Sequence, residues 1–171
     1  MKEIDFRYDL LPLKNKLYRL ALRITLDTAE AEDVTEDTLI RLWEKREALA
    51  EVDSVEAYAL TVCRHLAIDR SRSGATACLP LESVTSDPPA DSVPMPDEQL
   101  AQADRMAWIS RLVDSLPERQ RSIIQLRDVE GRSYREIAQV MGLTEAQVKV
   151  TLFRARQRIK QSYEKIERHG L

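Results

Sequence analysis

Ser133-Tyr134-Arg135-Glu136-Ile137-Ala138-Gln139-Val140-Met141-Gly142-Leu143-Thr144-Glu145-Ala146-Gln147-Val148-Lys149 reads as a short helix, a tight turn and the start of a second helix. Ser133 and Glu136 have the spacing of a capping box, and Thr144 and Gln147 repeat it at the second helix. Between them Gly142 supplies the positive φ that ends a helix. Ala138 is small enough to let two helix backbones approach. Past the turn, Val148, Leu152, Ala155 and Ile159 follow the spacing of one buried helical stripe. The opposite side presents Gln147, Val150, Phe153, Arg154, Gln157 and Lys160, flanked by Lys149 and Arg158. A short helix, a glycine turn and a longer basic helix are the marks of a helix-turn-helix unit that sits on double-stranded DNA.

That outward face carries both kinds of group a major-groove helix needs. Arg and Lys can neutralise phosphate or grip guanine, and Val150 and Phe153 can touch a thymine methyl. The plainer alternative is a solvated basic face with Phe153 as a satellite core residue. Charge distribution favours DNA. The 171 residues have a net charge of −3. Residues 105–171, however, hold 14 Lys+Arg against 8 Asp+Glu, whereas residues 1–72 hold 12 against 15. Residues 73–104 hold no Lys or Arg and 6 acids.

From Ser73 to Asp97 the chain carries Pro80, Pro88, Pro89, Pro94 and Pro96, which remove donors and disfavour helix. This predicts a flexible, acidic linker between two helical domains, 1–72 and 98–171. In the first domain Leu10, Leu13, Leu17, Leu20, Ala21 and Ile24 form one helical stripe. A second helix is expected from Thr28 to about Leu49, with Ala31, Val34, Thr38 and Leu42 inward. A third starts at Asp53 or Ser54, with Glu56 completing a capping box, and runs to about Arg72 with Gly74 able to end it. In the second domain a helix over about Glu98 to Val113 carries Leu100, Met106, Ile109 and Leu112. Ser115 and Glu118 are expected to cap the helix bearing Ile123, Ile124 and Leu126. The expected fold class is all-α: two small helical domains joined by a Pro-rich acidic linker, the second a helix-turn-helix.

Other functions find little support. No glycine-rich phosphate loop, nucleophile elbow or metal box occurs, and His65 and His169 lack partners at catalytic spacing, so no enzyme is expected. Cys63 and Cys78 form no zinc pattern with those histidines, so neither metal nor cofactor is expected. No run of about 18 uncharged apolar residues exists to enter a membrane, and Met1-Lys2-Glu3-Ile4-Asp5 is no signal peptide. The expected location is cytoplasmic.

The two halves, in this order, resemble the extracytoplasmic-function (ECF) group of bacterial RNA polymerase sigma factors, within the sigma-70 superfamily. The resemblance rests on several segments. Residues Ala31-Glu32-Asp33-Val34-Thr35-Glu36-Asp37-Thr38-Leu39-Ile40-Arg41-Leu42-Trp43 are similar to the family's polymerase-binding helix, and Tyr58 through Arg72 to its promoter-melting helix. Leu116-Pro117, Tyr134 through Ala138, and Val148 through Arg156 are similar to its last domain. The resemblance implies a protein without covalent chemistry that binds core RNA polymerase, directs it to promoters and helps open the DNA. It implies that Asp33, Glu36, Asp37 and Arg41 contact the clamp of the largest subunit. Tyr58, Arg64, His65, Arg70 and Arg72 would meet the downstream (−10) element as separated strand. Gln147, Lys149, Val150, Phe153, Arg154 and Gln157 would read the upstream (−35) element. An anti-sigma factor is implied as a further partner. The chain departs from the family pattern at Tyr58 (usually Trp), His65 (usually Asn), Glu36-Asp37 (often Gln-Glu) and Val150 (often Ser or a similar small polar residue). A promoter sequence is therefore not carried over. A stand-alone dimeric regulator that reads a symmetric operator is the alternative.

Overall fold

The computed structural model describes the backbone of residues 3–77 and 98–168, and side chains within 3–71 and 104–168. Among these residues every regular element is helical. The expected linker residues 78–97, Cys78, His169 and the side chains of Arg72 and Leu100 lie outside the described residues.

Helical turns over Phe6–Leu10 and Leu11–Leu13 lead into α1 (Lys14–Thr25). Leu26, left-handed at φ 57°, closes α1. The Asp27 carboxylate then accepts from the Glu30 N–H at 3.1 Å and starts α2 (Thr28–Glu44). α2 does not continue to Leu49 as expected. Lys45 leaves helical geometry (φ −102°, ψ 20°), and a separate turn, α3 (Arg46–Leu49), brings Leu49 into the core. Ser54 rather than Asp53 caps α4 (Val55–Ala77), its hydroxyl accepting from the Ala57 N–H at 3.1 Å. Glu56 does not complete a capping box; its carboxylate binds Lys16 and Arg132. Nor does Gly74 end the helix. Glycine costs only about 1 kcal/mol inside a helix, and α4 runs through it, so residues 73–77 are its last turn rather than linker.

α1, α2 and α4 pack pairwise around Leu17, Leu20, Ile24, Val34, Leu42 and Leu60. Thr35 and Thr38 are buried in that bundle because each hydroxyl donates to a carbonyl one turn back, of Ala31 and Val34. Cys63 fills the α1–α4 contact, its thiol donating to the Leu17 carbonyl, and burial pushes its pKa up to about 12.

The second half comprises α5 (Glu98–Asp114), α6 (Glu118–Ile124), a helical turn over Gln125–Val129, α7 (Tyr134–Met141) and α8 (Glu145–Arg168). Its core is Val113, Leu116, Ile123, Leu126, Ile137, Val140, Val148, Leu152 and Ala155. Of the apolar residues noted on α5, Met106 and Ile109 are exposed; among the described residues of α5, Val113 is the buried one. Ser115 does not cap α6. Its hydroxyl turns back to the Leu112 carbonyl, and Pro117 takes the N-cap position with no side-chain cap.

The halves are packed together. α1 lies against α6 and the turn after it, and α4 against α7, so the apolar core is continuous across the chain.

Candidate nucleic-acid interface

The turn geometry of the helix-turn-helix follows the sequence closely. Ser133 accepts from the Glu136 N–H at 3.1 Å, while the Glu136 carboxylate goes to Arg132 instead of closing the box. Gly142 adopts φ 67° at the end of α7. At the start of α8, Thr144 and Gln147 cap each other: the Thr144 N–H donates to Gln147 Oε1 at 2.9 Å, and the Gln147 N–H to Thr144 Oγ1 at 3.1 Å. Val148, Leu152 and Ala155 are buried and Ile159 is half-buried, which fixes the rotation of α8 about its axis.

The opposite face is therefore presented to solvent. Gln147, Lys149 and Arg154 are exposed, Gln157 is half-buried, and Val150 and Phe153 are 48% and 64% exposed. Phe153 is thus no satellite core residue. The Lys149 ammonium sits 5.3 Å from the centre of the Tyr134 ring, and the Arg127 guanidinium 4.4 Å from it. Tyr134 was not singled out from the sequence, yet it joins α7 to the basic face of α8. Arg156 lies off that face, paired with Asp128.

The α4 candidates are placed differently. Tyr58 is half-buried against the core and His65 is exposed. The Arg64 side chain is only 12% exposed, and its Nη2 donates to Glu118 of α6 at 3.2 Å. Arg70 is turned onto α2, where it binds Glu30 at 3.2 Å, Asp33 at 3.2 Å and Asp37 at 2.8 Å. Two candidate polymerase contacts and one candidate strand contact thus share one ion cluster. Glu36 and Arg41 are exposed on α2. Trp43 stands half-exposed nearby, edge-on to Phe6 at 5.8 Å and under Arg46.

Two segments match families described as Sigma-70 region 2, over residues 12–76, and Sigma-70, region 4, over residues 106–159. The ECF RNA polymerase sigma factor SigL of Mycobacterium tuberculosis is 35% identical over 137 residues, 80% of this chain and 76% of that protein. The chain belongs to the ECF sigma factors. It is also 27% identical to the ECF sigma factor SigX of Bacillus subtilis, over 81% of this chain and 73% of that one. Among solved structures, the sigma factor RpoE in complex with the anti-sigma factor NepR from Bartonella quintana shares the fold, at TM-score 0.71 and 24% identity. That likeness covers 94% of this chain and 97% of that one, hence both halves. CnrH, solved in complex with the cytosolic domain of CnrY, aligns at TM-score 0.68 and 18% identity over 94% of this chain and 88% of that one.

As an ECF sigma factor the protein directs RNA polymerase to promoters, and its family consists of transcription regulators rather than catalytic enzymes. Among the described residues no helix is long and apolar enough to cross a membrane.

Proposed function

We propose that this sigma factor reads the −35 element with the solvent face of α8 and meets the opened −10 element with α4. Gln147, Lys149, Val150, Phe153, Arg154 and Gln157 form the first surface; Tyr58, Arg64, His65, Arg70 and Arg72 form the second. Asp33, Glu36, Asp37 and Arg41 on α2 are the polymerase-docking group. Residues 1–72 and 98–171 act as separate functional units on either side of the 73–97 segment. The protein acts in the cytoplasm without covalent chemistry of its own, and an anti-sigma factor is its regulatory partner. The observation that carries this reading is the face of α8, whose orientation is set by Val148, Leu152 and Ala155 and which turns two large apolar side chains and an arginine to solvent.

The test is run-off transcription with core polymerase and this protein as the sole sigma, with start sites mapped across the source genome. Arg154→Ala should lower initiation about tenfold or more, as expected for losing one base-reading arginine, without changing core-polymerase affinity. Tight binding of the free chain to a symmetric operator, with no polymerase-dependent start sites, would instead establish a stand-alone regulator. Residues 105–171 carry a net charge of only +6, so they can neutralise few phosphates, and DNA binding without polymerase should be weak.

A further inference from the structure

The contact between the halves has an unexpected polarity. Although residues 105–171 are net basic, three of their eight acids turn toward the first half. Asp114 binds Arg23 at 2.9 Å, Glu118 binds Arg64 at 3.2 Å, and Glu130 binds Arg19 at 2.7 Å. The basic α8 face points elsewhere. Two arginines of the second half add further ties: Arg132 binds Glu56 of α4 at 3.0 Å, the one pair named here of opposite polarity, and Arg121 of α6 donates to the Arg23 carbonyl at 2.9 Å and the Ile24 carbonyl at 3.1 Å, groups the end of α1 leaves without helical partners. Arg121 also holds the Leu116 carbonyl of its own half at 2.7 Å. Burial pushes the Glu130 carboxyl up, but the Arg19 hydrogen bond and charge, with Gln125, outweigh this and hold it below the usual carboxylate range.

We infer that this acidic face clamps the C-terminal half onto the first, Asp114 and Glu130 anchoring it to α1 while Glu118 occupies α4, standing where a strand phosphate would bind Arg64. The inference rests on the proposed role of α4. Glu118 is a partial substitute: it engages one arm of the guanidinium, while Arg64 Nε has no partner among the described residues. A phosphate can take both arms of an arginine at once. A crevice beside the pair, lined by Arg64, His65, Ile68, Asp69, Glu118 and Arg119, separates α4 from α6. The closed chain cannot serve both promoter elements. Elements centred about 25 base pairs apart lie about 85 Å apart along the duplex, whereas here the two halves touch. The 20 residues from 78 to 97 would reach about 70 Å if fully extended, enough for the halves to part. Polymerase and promoter must therefore displace the C-terminal half from α4 before α4 can take the strand.

The experiment uses the full chain with Asp114→Asn, Glu118→Gln and Glu130→Gln combined, which removes charge and keeps shape. Small-angle scattering of the free wild-type protein should give a radius of gyration near the roughly 16 Å of a compact chain this long. The triple variant should be larger, and higher salt should expand the wild type. The variant should reach half-maximal initiation at about tenfold less protein, the sum expected of three partly exposed ion pairs. An expanded wild type at physiological salt, or a variant that opens without gaining initiation, overturns the inference. Arg64→Ala separates the two readings. Unchanged promoter opening by that variant, alongside the scattering shift, would remove the strand role of Arg64 and leave the closed state standing.

Discussion

α8 and α4 are both long helices proposed to carry nucleic-acid contacts, and the structure treats them in opposite ways. α8 buries one stripe and leaves its candidate face in solvent. α4 is covered on the α1–α2 side by its own bundle and on another by α7, and Arg64 and Arg70 are already matched to carboxylates. Duplex DNA needs only a groove-sized convex helix, which can stand ready. A separated strand needs recessed stacking surfaces and cations, which in the resting chain attract internal acids. The duplex surface proposed on α8 is thus preformed, and the strand surface proposed on α4 is conditional.

The largest expected effect tests whether α8 really has two separable faces. Leu152 and Phe153 are neighbours in sequence, one fully buried and the other 64% exposed. Leu152→Ala should cost about 2–5 kcal/mol of stability, read by denaturant unfolding. Phe153→Ala should leave stability within about 0.5 kcal/mol yet lower initiation at dependent promoters. Equal stability losses for the two would erase the distinction drawn between the faces.

On α4 the corresponding probe is Cys63. Its thiol, pushed up to about 12 by burial, stays protonated in the folded chain while an unfolded thiol ionises near its ordinary value. A raised pKa gives stability that is fully present below the unfolded pKa and is lost as pH rises toward the folded one. Stability should therefore fall by about 1.4 kcal/mol per pH unit above about pH 9. Cys63→Ala should flatten that slope; the same slope in the variant would assign the alkaline loss to other groups.

The two helices also differ in how much the sequence revealed. Around α8 the determinants are local. Thr144 and Gln147 are three residues apart, Gly142 sits where a left-handed residue is required, and the buried stripe repeats at helical period. Around α4 the deciding partners are distant. Arg64 meets Glu118 54 residues away, and Arg19 meets Glu130 111 residues away. No periodicity carries such pairs. Two of the misreadings share that cause: Glu56 and Glu118 stood at capping positions, but each carboxylate was taken by cations from elsewhere in the fold. Gly74 failed as a stop because the backbone stays helical from it through Ala77, and the helix tolerates glycine.

The smallest effect addresses Arg70, whose ion pairs tie α4 to α2, the proposed docking helix. Its guanidinium gathers Glu30, Asp33 and Asp37. The side chain is about one-third exposed, so these pairs are solvent-screened, and Arg70→Ala should change stability by about 1 kcal/mol or less. Its functional consequence should exceed that. Without Arg70 the three carboxylates repel one another, and the spacing of Asp33 and Asp37, proposed to face polymerase, is no longer held. Arg70→Lys restores the charge but not the planar fork that reaches several acids together. Core-polymerase affinity should therefore fall in the order wild type, Arg70→Lys, Arg70→Ala, measured by titration of labelled protein with no promoter present. If both variants bind core polymerase like the wild type and lose only promoter opening, Arg70 belongs to the strand surface alone, and the link between the two helices is electrostatic coincidence.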